Sequence, residues 1–320
     1  MAIDPSKIAF NENLIFTPGE IVFSIKLYKK IDVRILSSNS LKLSNRTQRK
    51  SLVRHAFLLM KKALRFRNGF WIDIDNKNEI KHAGLGSSGS LIAGTAVAIN
   101  EIYGKPIKND ILIKYLAQNH GEEVEGNENI INPVQCIGGS AASGIVKGGL
   151  LILAGQSKVI KTMNIDDSYS VIIGIPIDFT APDSKKALEE ELKNMQKFIN
   201  CGKKYGLIIA YNILHKVLPA MTEGDLRLIG DVIYDYRFNM GSIKNCSFLY
   251  PKLPTLTHKL SYLKYKGVAD VLAISSVGPA IFAISQNPLL CRKAFEKQGL
   301  KTFITKINNQ SYSILKREKF

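Results

Sequence analysis

Cysteine is scarce and scattered. Its four copies, Cys136, Cys201, Cys246 and Cys291, fall into no CxxC or CxxxC pair. That excludes a zinc ribbon or a disulfide framework and fits a reducing compartment. Long apolar runs are also missing, because glycine or a charge interrupts each before it reaches a membrane span. The opening Met1-Ala2-Ile3-Asp4-Pro5 lacks the basic-then-apolar pattern of a secretory signal. The expectation is a cytoplasmic protein with no membrane partner. No internal repeat and no low-complexity segment is found. Acidic residues are the third shortage: 27 Asp and Glu face 44 Lys and Arg, a formal charge of +17. Such a surplus points to nucleic acid, anionic lipid or phosphorylated small molecules. The basic residues are spread along the chain rather than gathered in a stripe with aromatics, and no nucleic-acid motif occurs. Phosphorylated ligands on a Lys-, Ile- and Asn-rich background are therefore favoured over nucleic acid.

The chain has 320 residues, 45% of them hydrophobic, enough core for two domains or one large one. The stretch most unlike its surroundings is His82-Ala83-Gly84-Leu85-Gly86-Ser87-Ser88-Gly89-Ser90, which runs into the Ala-rich apolar segment from Leu91 to Asn100. Glycines let backbone N–H groups approach a ligand, serines add hydroxyl donors, and the following helix turns its positive end toward the loop. Together these make an anion site, most often one for phosphate. The plainer alternative is a small-residue turn that caps a helix. No Gly-Lys-Ser/Thr follows, so this is not a P-loop.

Around this loop the chain reads as α+β. Strands are predicted over 8–16, 20–27 and 31–36, a helix over 48–66 and a strand over 70–74. The helix after the loop ends near Gly104-Lys105-Pro106, and another is predicted from Asp110 to Glu125. Gly126 to Gly144 is rich in glycine, asparagine and serine, and a strand follows over 150–153. The second half opens with a β-branched strand, 169–176. Helices are predicted over 183–200, 207–218 and 222–236, the last two separated by Pro219-Ala220-Met221. A hairpin over 271–275 and 280–285, a helix over 289–298 and a strand over 302–307 close the chain. The domain boundary is placed at 165/166.

Three stretches in order resemble the GHMP superfamily, the group of galactokinase, homoserine kinase, mevalonate kinase and phosphomevalonate kinase. Pro5-Ser6-Lys7-Ile8-Ala9-Phe10-Asn11-Glu12-Asn13, followed by Pro18-Gly19, is similar to its first motif; Gly84 to Ser90 to its second, the nucleotide-phosphate loop; and Ser275-Ser276-Val277-Gly278-Pro279-Ala280-Ile281-Phe282-Ala283 to its third. The resemblance implies two domains: a ribosomal protein S5 domain 2-like one over 1–165 and a ferredoxin-like one over 166–320. Leu218 to Leu226, the 275–279 turn and Gly148 to Gly155 also resemble archaeal beta-ribofuranosylaminobenzene 5'-phosphate synthase. That enzyme condenses an aromatic acid with phosphoribosyl diphosphate in methanopterin synthesis. The synthases carry Gly-Ser-Gly-Thr-Gln at the loop, where this chain has Gly86-Ser87-Ser88-Gly89-Ser90, nearer the kinases.

The resemblance implies a kinase that uses ATP and Mg2+ to phosphorylate a hydroxyl of a small sugar, amino-acid or isoprenoid-precursor metabolite, with the synthase as the alternative. Gly84, Leu85, Gly86, Ser87, Ser88, Gly89 and Ser90, with Ser276 and Gly278, would hold the nucleotide. Ser88 would reach Mg2+, with Glu123 or Glu125 as the second ligand; a solvated helix face is the plain alternative for these glutamates. Lys7 stands where family kinases often place a lysine near the transferred phosphoryl. Many members place a basic aspartate after the next helix, but no Asp occurs between Asp110 and Asp166. The stretch Glu125 to Pro133 instead resembles the Glu-Gly-His-Pro-Asp-Asn run of homoserine kinase, which leaves Asn132 or Asn129 to orient the acceptor hydroxyl and makes positioning the main mechanism. His82 is expected to pack, and His120 and His215 to be structural. The partners expected are a phosphorylated nucleotide and a small-molecule substrate, with a homodimer left open.

Overall fold

The protein is described by a computed structural model covering residues 19–76, 79–124 and 127–317. The strand expected over 8–16, the first motif as far as Pro18, and Lys7 lie outside the described residues. In the first half, β1 (Gly19–Phe23), β2 (Lys30–Leu36) and β3 (Leu41–Leu43) precede helix α1 (Lys50–Leu64), strand β4 (Gly69–Asp75) and helices α2 (Ser87–Ile102) and α3 (Asn109–Gln118). A hairpin of β5 (Gly121–Val124) and β6 (Asn127–Pro133), the short helix α4 (Gly139–Ile145), and strands β7 (Leu150–Ala154) and β8 (Lys158–Met163) follow. Strand β4 pairs antiparallel with β2 and parallel with β3, and β7 sits between β1 and β8.

Local pattern explains these elements. Helix α1 carries Leu52, Val53, Ala56, Phe57 and Met60 at helical spacing, and all five are buried. Helix α2 is apolar almost all round and rich in alanine and glycine, so it packs centrally against both α1 and α4. Strand β4 buries Phe70, Ile72 and Ile74 against this pair.

The second half is built on β9 (Ser170–Pro176), followed by helices α5 (Ser184–Lys193), α6 (Met195–Asn212), α7 (Leu218–Glu223) and α8 (Leu226–Tyr234). Then come α9 (Ser242–Asn245), α10 (Leu253–Leu260), α11 (Tyr262–Tyr265), strands β10 (Val271–Ile274) and β11 (Ile281–Ser285), helix α12 (Pro288–Lys297) and strand β12 (Leu300–Thr305). The sheet order is β10-β11-β9-β12 with every neighbour antiparallel. Taken with the helical segments after β9 and the helix after β11, that is the split βαβ arrangement of a ferredoxin-like domain, as the resemblance implies.

Each half has its own core, and a third apolar cluster joins them: Leu150, Ile152 and Ile165 pack with Ile173, Val271, Ile284 and Ile307. Beyond β12 the chain returns to the first half, where Asn308 N donates to Ser24 O at 2.8 Å and Tyr312 N to Gly144 O at 2.9 Å. Among the described residues no helix is long and apolar enough to cross a membrane.

Two expectations are corrected. The helix predicted from Asp110 to Glu125 stops at Gln118, and Glu122 and Glu123 stand on strand β5. His120-Gly121 breaks the helical period, and β6 lies so close to Gly121 that a Cβ there would overlap Ile131. The break predicted at Pro219-Ala220-Met221 is absent too. Helix α6 continues through a π-helical stretch, Ile213–Val217, into α7, where Pro219 falls in the first turn. Proline is tolerated there because its missing N–H lacks a required partner. The chain turns instead at Gly224, and the Asp225 carboxylate caps α8 by accepting from Leu228 N.

Helix α8 lies on β10 so closely that a Cβ at Gly230 would overlap the Asp270 carbonyl. Helix propensity favours alanine over glycine by about 1 kcal/mol. Gly230→Ala is nevertheless expected to destabilise the fold by about 1–3 kcal/mol, because backbone stands in the way. Urea unfolding reads the sign; a gain in stability would mean that the helix does not press on this strand.

Candidate active site

The loop before α2 is held from both halves of the molecule. Ala83 and Leu85 pack into the joining core. Gly84 has φ +84°, and a Cβ there would overlap the Ser275 carbonyl. Ser275 Oγ donates to Gly84 O at 2.8 Å, and Ala280 N donates to Ala83 O at 3.3 Å. The 275–280 turn, which carries Ser276 and Gly278, therefore lies directly against the loop. Arg237 Nη1 reaches the same turn, donating to Ser276 O at 3.2 Å and Ser242 Oγ at 3.0 Å.

Gly86 caps α2 in the left-handed conformation, φ 68°, and among the described residues no side chain caps the helix's first N–H groups. Those groups have no intrahelical partner. A 16-residue helix thus presents uncapped donors and the positive end of its dipole to the loop. Helix α4 approaches from the other side, so that a Cβ at Gly86 or Gly89 would meet the Ser140 side chain.

A charged cluster lies behind the serines. Ser88 Oγ donates to Glu122 Oε2 at 2.7 Å. Arg49, at the start of α1, donates from Nε to Glu123 Oε2 at 2.6 Å, from Nη1 to Ser87 Oγ at 3.0 Å and from Nη2 to Ser88 Oγ at 2.7 Å. Lys29 Nζ donates to Ser90 Oγ at 2.7 Å and pairs with Glu79 Oε1 at 2.7 Å. His120 Nε2 lies 3.3 Å from Glu122 Oε1. Burial alone would raise the Glu122 pKa, but His120, the Ser88 hydroxyl and the Arg49 charge together hold it below the usual carboxylate range.

The sequence-derived residues sort as follows. Gly84 to Gly86 form the loop, Ser87 to Ser90 make the first turn of α2 rather than extending the loop, and Ser276 and Gly278 sit in the turn against it. Ser88 meets a carboxylate, and it is Glu122; Glu123 turns to Arg49. Glu125 and Lys7 lie outside the described residues. Asn132 stands directly across the β5–β6 ladder from Glu122, on the same face, and Asn129 is exposed at the far end of β6. His82 Nε2 meets Ser184 Oγ at 3.1 Å and so ties the loop to the start of α5, which packs on β5. His215 packs against Tyr211 with tilted rings, centroids 4.5 Å apart. Sequence reasoning missed Arg49, Lys29, Glu79 and Ser140. Only the Glu122 position carried a signal: Gly121-Glu122-Glu123-Val124 alternates, so the two carboxylates separate on a strand as they would not on a helix.

Residues 51–142 match the family described as the GHMP kinases N terminal domain. The homoserine kinase of Natranaerobius thermophilus is 28% identical over 215 residues, which span 67% of this chain and 59% of that relative. Among solved structures, homoserine kinase from Cytophaga hutchinsonii superposes with a TM-score of 0.58 at 16% identity, covering 92% of this chain and 94% of that one. Mevalonate kinase from L. major in complex with R-mevalonate gives a TM-score of 0.59 at 14% identity, covering 95% and 92%. Residues 51–142 thus match the N-terminal domain of GHMP kinases, and the overall fold is that of the solved GHMP kinase structures. The archaeal synthase resemblance has no counterpart among these relatives.

A carboxyl held below its ordinary pKa contributes stability that is present above the unfolded value and lost as pH falls through the folded one. Glu122 is such a group. Glu122→Gln is therefore expected to flatten the acid limb, losing less unfolding free energy than the parent between about pH 6 and about pH 3. Equal acid limbs would mean that the Glu122 cluster is not coupled to folding.

Proposed function

We propose that this chain is a kinase that transfers the γ-phosphoryl group of ATP to the hydroxyl of a small metabolite and requires Mg2+. The observation that carries the reading is Ser88 beside Glu122, 2.7 Å apart, at the uncapped N-terminus of α2. Both are oxygen ligands, which suit a hard cation. Among the described residues no group of three His, Cys, Asp or Glu side chains is placed to hold a metal ion by itself. The pair therefore fits an ion that arrives with nucleotide phosphates, the usual habit of Mg2+. Bound there, Mg2+ would neutralise charge on the β- and γ-phosphate oxygens.

The chain's own residues do the rest by positioning. The N–H groups of the loop and of the first turn of α2 cradle the phosphates, and the 275–280 turn fixes the loop from behind. Phosphoryl transfer of this type needs little covalent help, since charge stabilisation and alignment dominate. Asn132, facing the site across from Glu122, is assigned to orient the acceptor hydroxyl. Lys7, outside the described residues, is kept as the cation near the transferred group. Glu122 replaces Glu123 as the carboxylate toward the metal, because Ser88 meets it and Arg49 occupies Glu123.

The acceptor class proposed is a hydroxylated carboxylic or amino acid, homoserine first. The homoserine kinase match supports this choice. Arg237 supports it as well: Nη1 holds the Ser276 carbonyl, while the rest of the guanidinium fork is suited to a carboxylate.

ADP release from ATP and Mg2+ with a panel of homoserine, mevalonate and simple sugars tests the reading. Turnover is expected with a hydroxy acid, and Ser88→Ala or Glu122→Gln should lower kcat by about a hundredfold or more. Arg237→Ala should raise the KM of the acceptor by about tenfold and leave that of ATP nearly unchanged. Release of diphosphate from phosphoribosyl diphosphate and 4-aminobenzoate, with no ADP from any acceptor, would replace the kinase by the synthase.

A further inference from the structure

Arg49 has no role in the assignments above, yet every polar contact its side chain makes belongs to the site. The side chain is fully buried. Its backbone is left-handed, φ 54° and ψ 48°, in a residue that has a Cβ. Such a conformation persists only where the surroundings over-determine it, and it gathers at functional sites. The guanidinium has five N–H donors and no acceptor. Three hydrogen bonds run to Glu123, Ser87 and Ser88, and the Glu79 and Glu122 carboxylates lie 3.8 Å and 3.7 Å away. Buried on all sides, Arg49 has no path to a substrate and can act only through its neighbours.

We propose that Arg49 is a positioning residue that prepares the Ser88–Glu122 pair for a divalent cation bound with nucleotide phosphates. The proposal rests on the kinase reading above. Two effects combine. The first is orientation. A hydroxyl has one proton and two lone pairs. Ser88 Oγ gives its proton to Glu122 and accepts one from Arg49 Nη2. One lone pair is left, and its direction is fixed by the other two bonds.

The second effect is charge. Three carboxylates, Glu79, Glu122 and Glu123, crowd the serines. Lys29 pairs with Glu79 at 2.7 Å and Arg49 with Glu123 at 2.6 Å. Glu122 is paired more loosely, with Arg49 Nη2 at 3.7 Å and His120 Nε2 at 3.3 Å. Of the three carboxylates, the one touching Ser88 is thus the one without a close Lys or Arg partner, and it is left to meet an incoming cation. Without Arg49 the serine hydroxyls would turn to whichever carboxylate is nearest, and Glu123 would compete for the ion. A lysine cannot replace it, because one ammonium cannot span two serines and a carboxylate as the planar fork does.

The test compares the parent, Glu123→Gln, Arg49→Lys and the double variant Arg49→Met/Glu123→Gln. The double variant removes both members of the buried pair and so avoids leaving an unpaired charge. Mn2+ is titrated in the presence of ATP and bound ion is read by electron paramagnetic resonance, with urea unfolding in parallel. The expected result is a double variant that still unfolds cooperatively but binds Mn2+ with ATP at least about tenfold more weakly than the parent. Arg49→Lys should show a similar loss, and it supplies the readout if the double variant does not fold. Glu123→Gln alone should bind within a few-fold of the parent. Parent-like Mn2+ binding in a folded Arg49 variant would overturn the proposal and leave the kinase reading intact. Failure of the parent itself to bind Mn2+ with ATP would overturn both.

Discussion

The constraint on which this structure depends is the close approach of two backbones, the loop at Gly84 and the turn at Ser275. No Cβ fits between them. The loop belongs to the first half and the turn to the hairpin of the ferredoxin-like sheet, so this contact holds the two halves in register at the point where the site lies. The Ser275 hydroxyl bond to Gly84 O and the Ala280 bond to Ala83 O close the same seam. Beneath it, the joining core of Leu150, Ile152, Ile173, Val271 and Ile284 backs the seam with buried apolar side chains. A loop fixed in this way needs no rearrangement to present its donors, which is the condition for electrostatic stabilisation without a reorganisation cost.

Much of this was legible in the sequence, for physical reasons that differ by element. The small-residue stretches at 84–90 and 275–280 announce themselves because the close approach at Gly84 leaves no room for a Cβ, and both stretches lie at the seam. Alternating and 3.6-period hydrophobicity located α1, β4, β9 and the β10–β11 hairpin, since burial imposes the period directly. Register and long-range pairing were not legible. The segment after Gln118 read as a continuing helix because Glu122, Glu123 and Glu125 are good helix formers; the partner strand β6 overrode that propensity. Pro219 read as a break because π-helical geometry upstream of it leaves no trace in composition.

The charged cluster illustrates a harder limit. Arg49 sits in a basic run, Arg46-Thr47-Gln48-Arg49-Lys50, where nothing in type or spacing sets it apart from the exposed Arg46 or from Lys50. Its partners come from 30 to 74 positions further on: Glu79, Ser87, Ser88, Glu122 and Glu123. The same chain carries 44 basic residues, so a single buried one is lost in the background. What distinguishes it is burial together with a left-handed backbone, and both are properties of the fold rather than of the residue.

The choice between Glu122 and Glu123 follows from the same logic. As neighbours on a strand they leave the backbone on opposite sides, so a pair that looks redundant in sequence is divided in space. Glu123 takes the close ion pair with the guanidinium, 2.6 Å, while Glu122 lies 3.7 Å from it and accepts from the serine. His120 and Ser88 stabilise the ionised form of Glu122 against the burial that opposes it. A carboxylate is thus kept ionised beside a helix N-terminus, where the dipole favours negative charge, and a second anion entering the loop would meet its repulsion unless a cation came between them. On the kinase reading proposed above, a cation bound with phosphate would remove that repulsion.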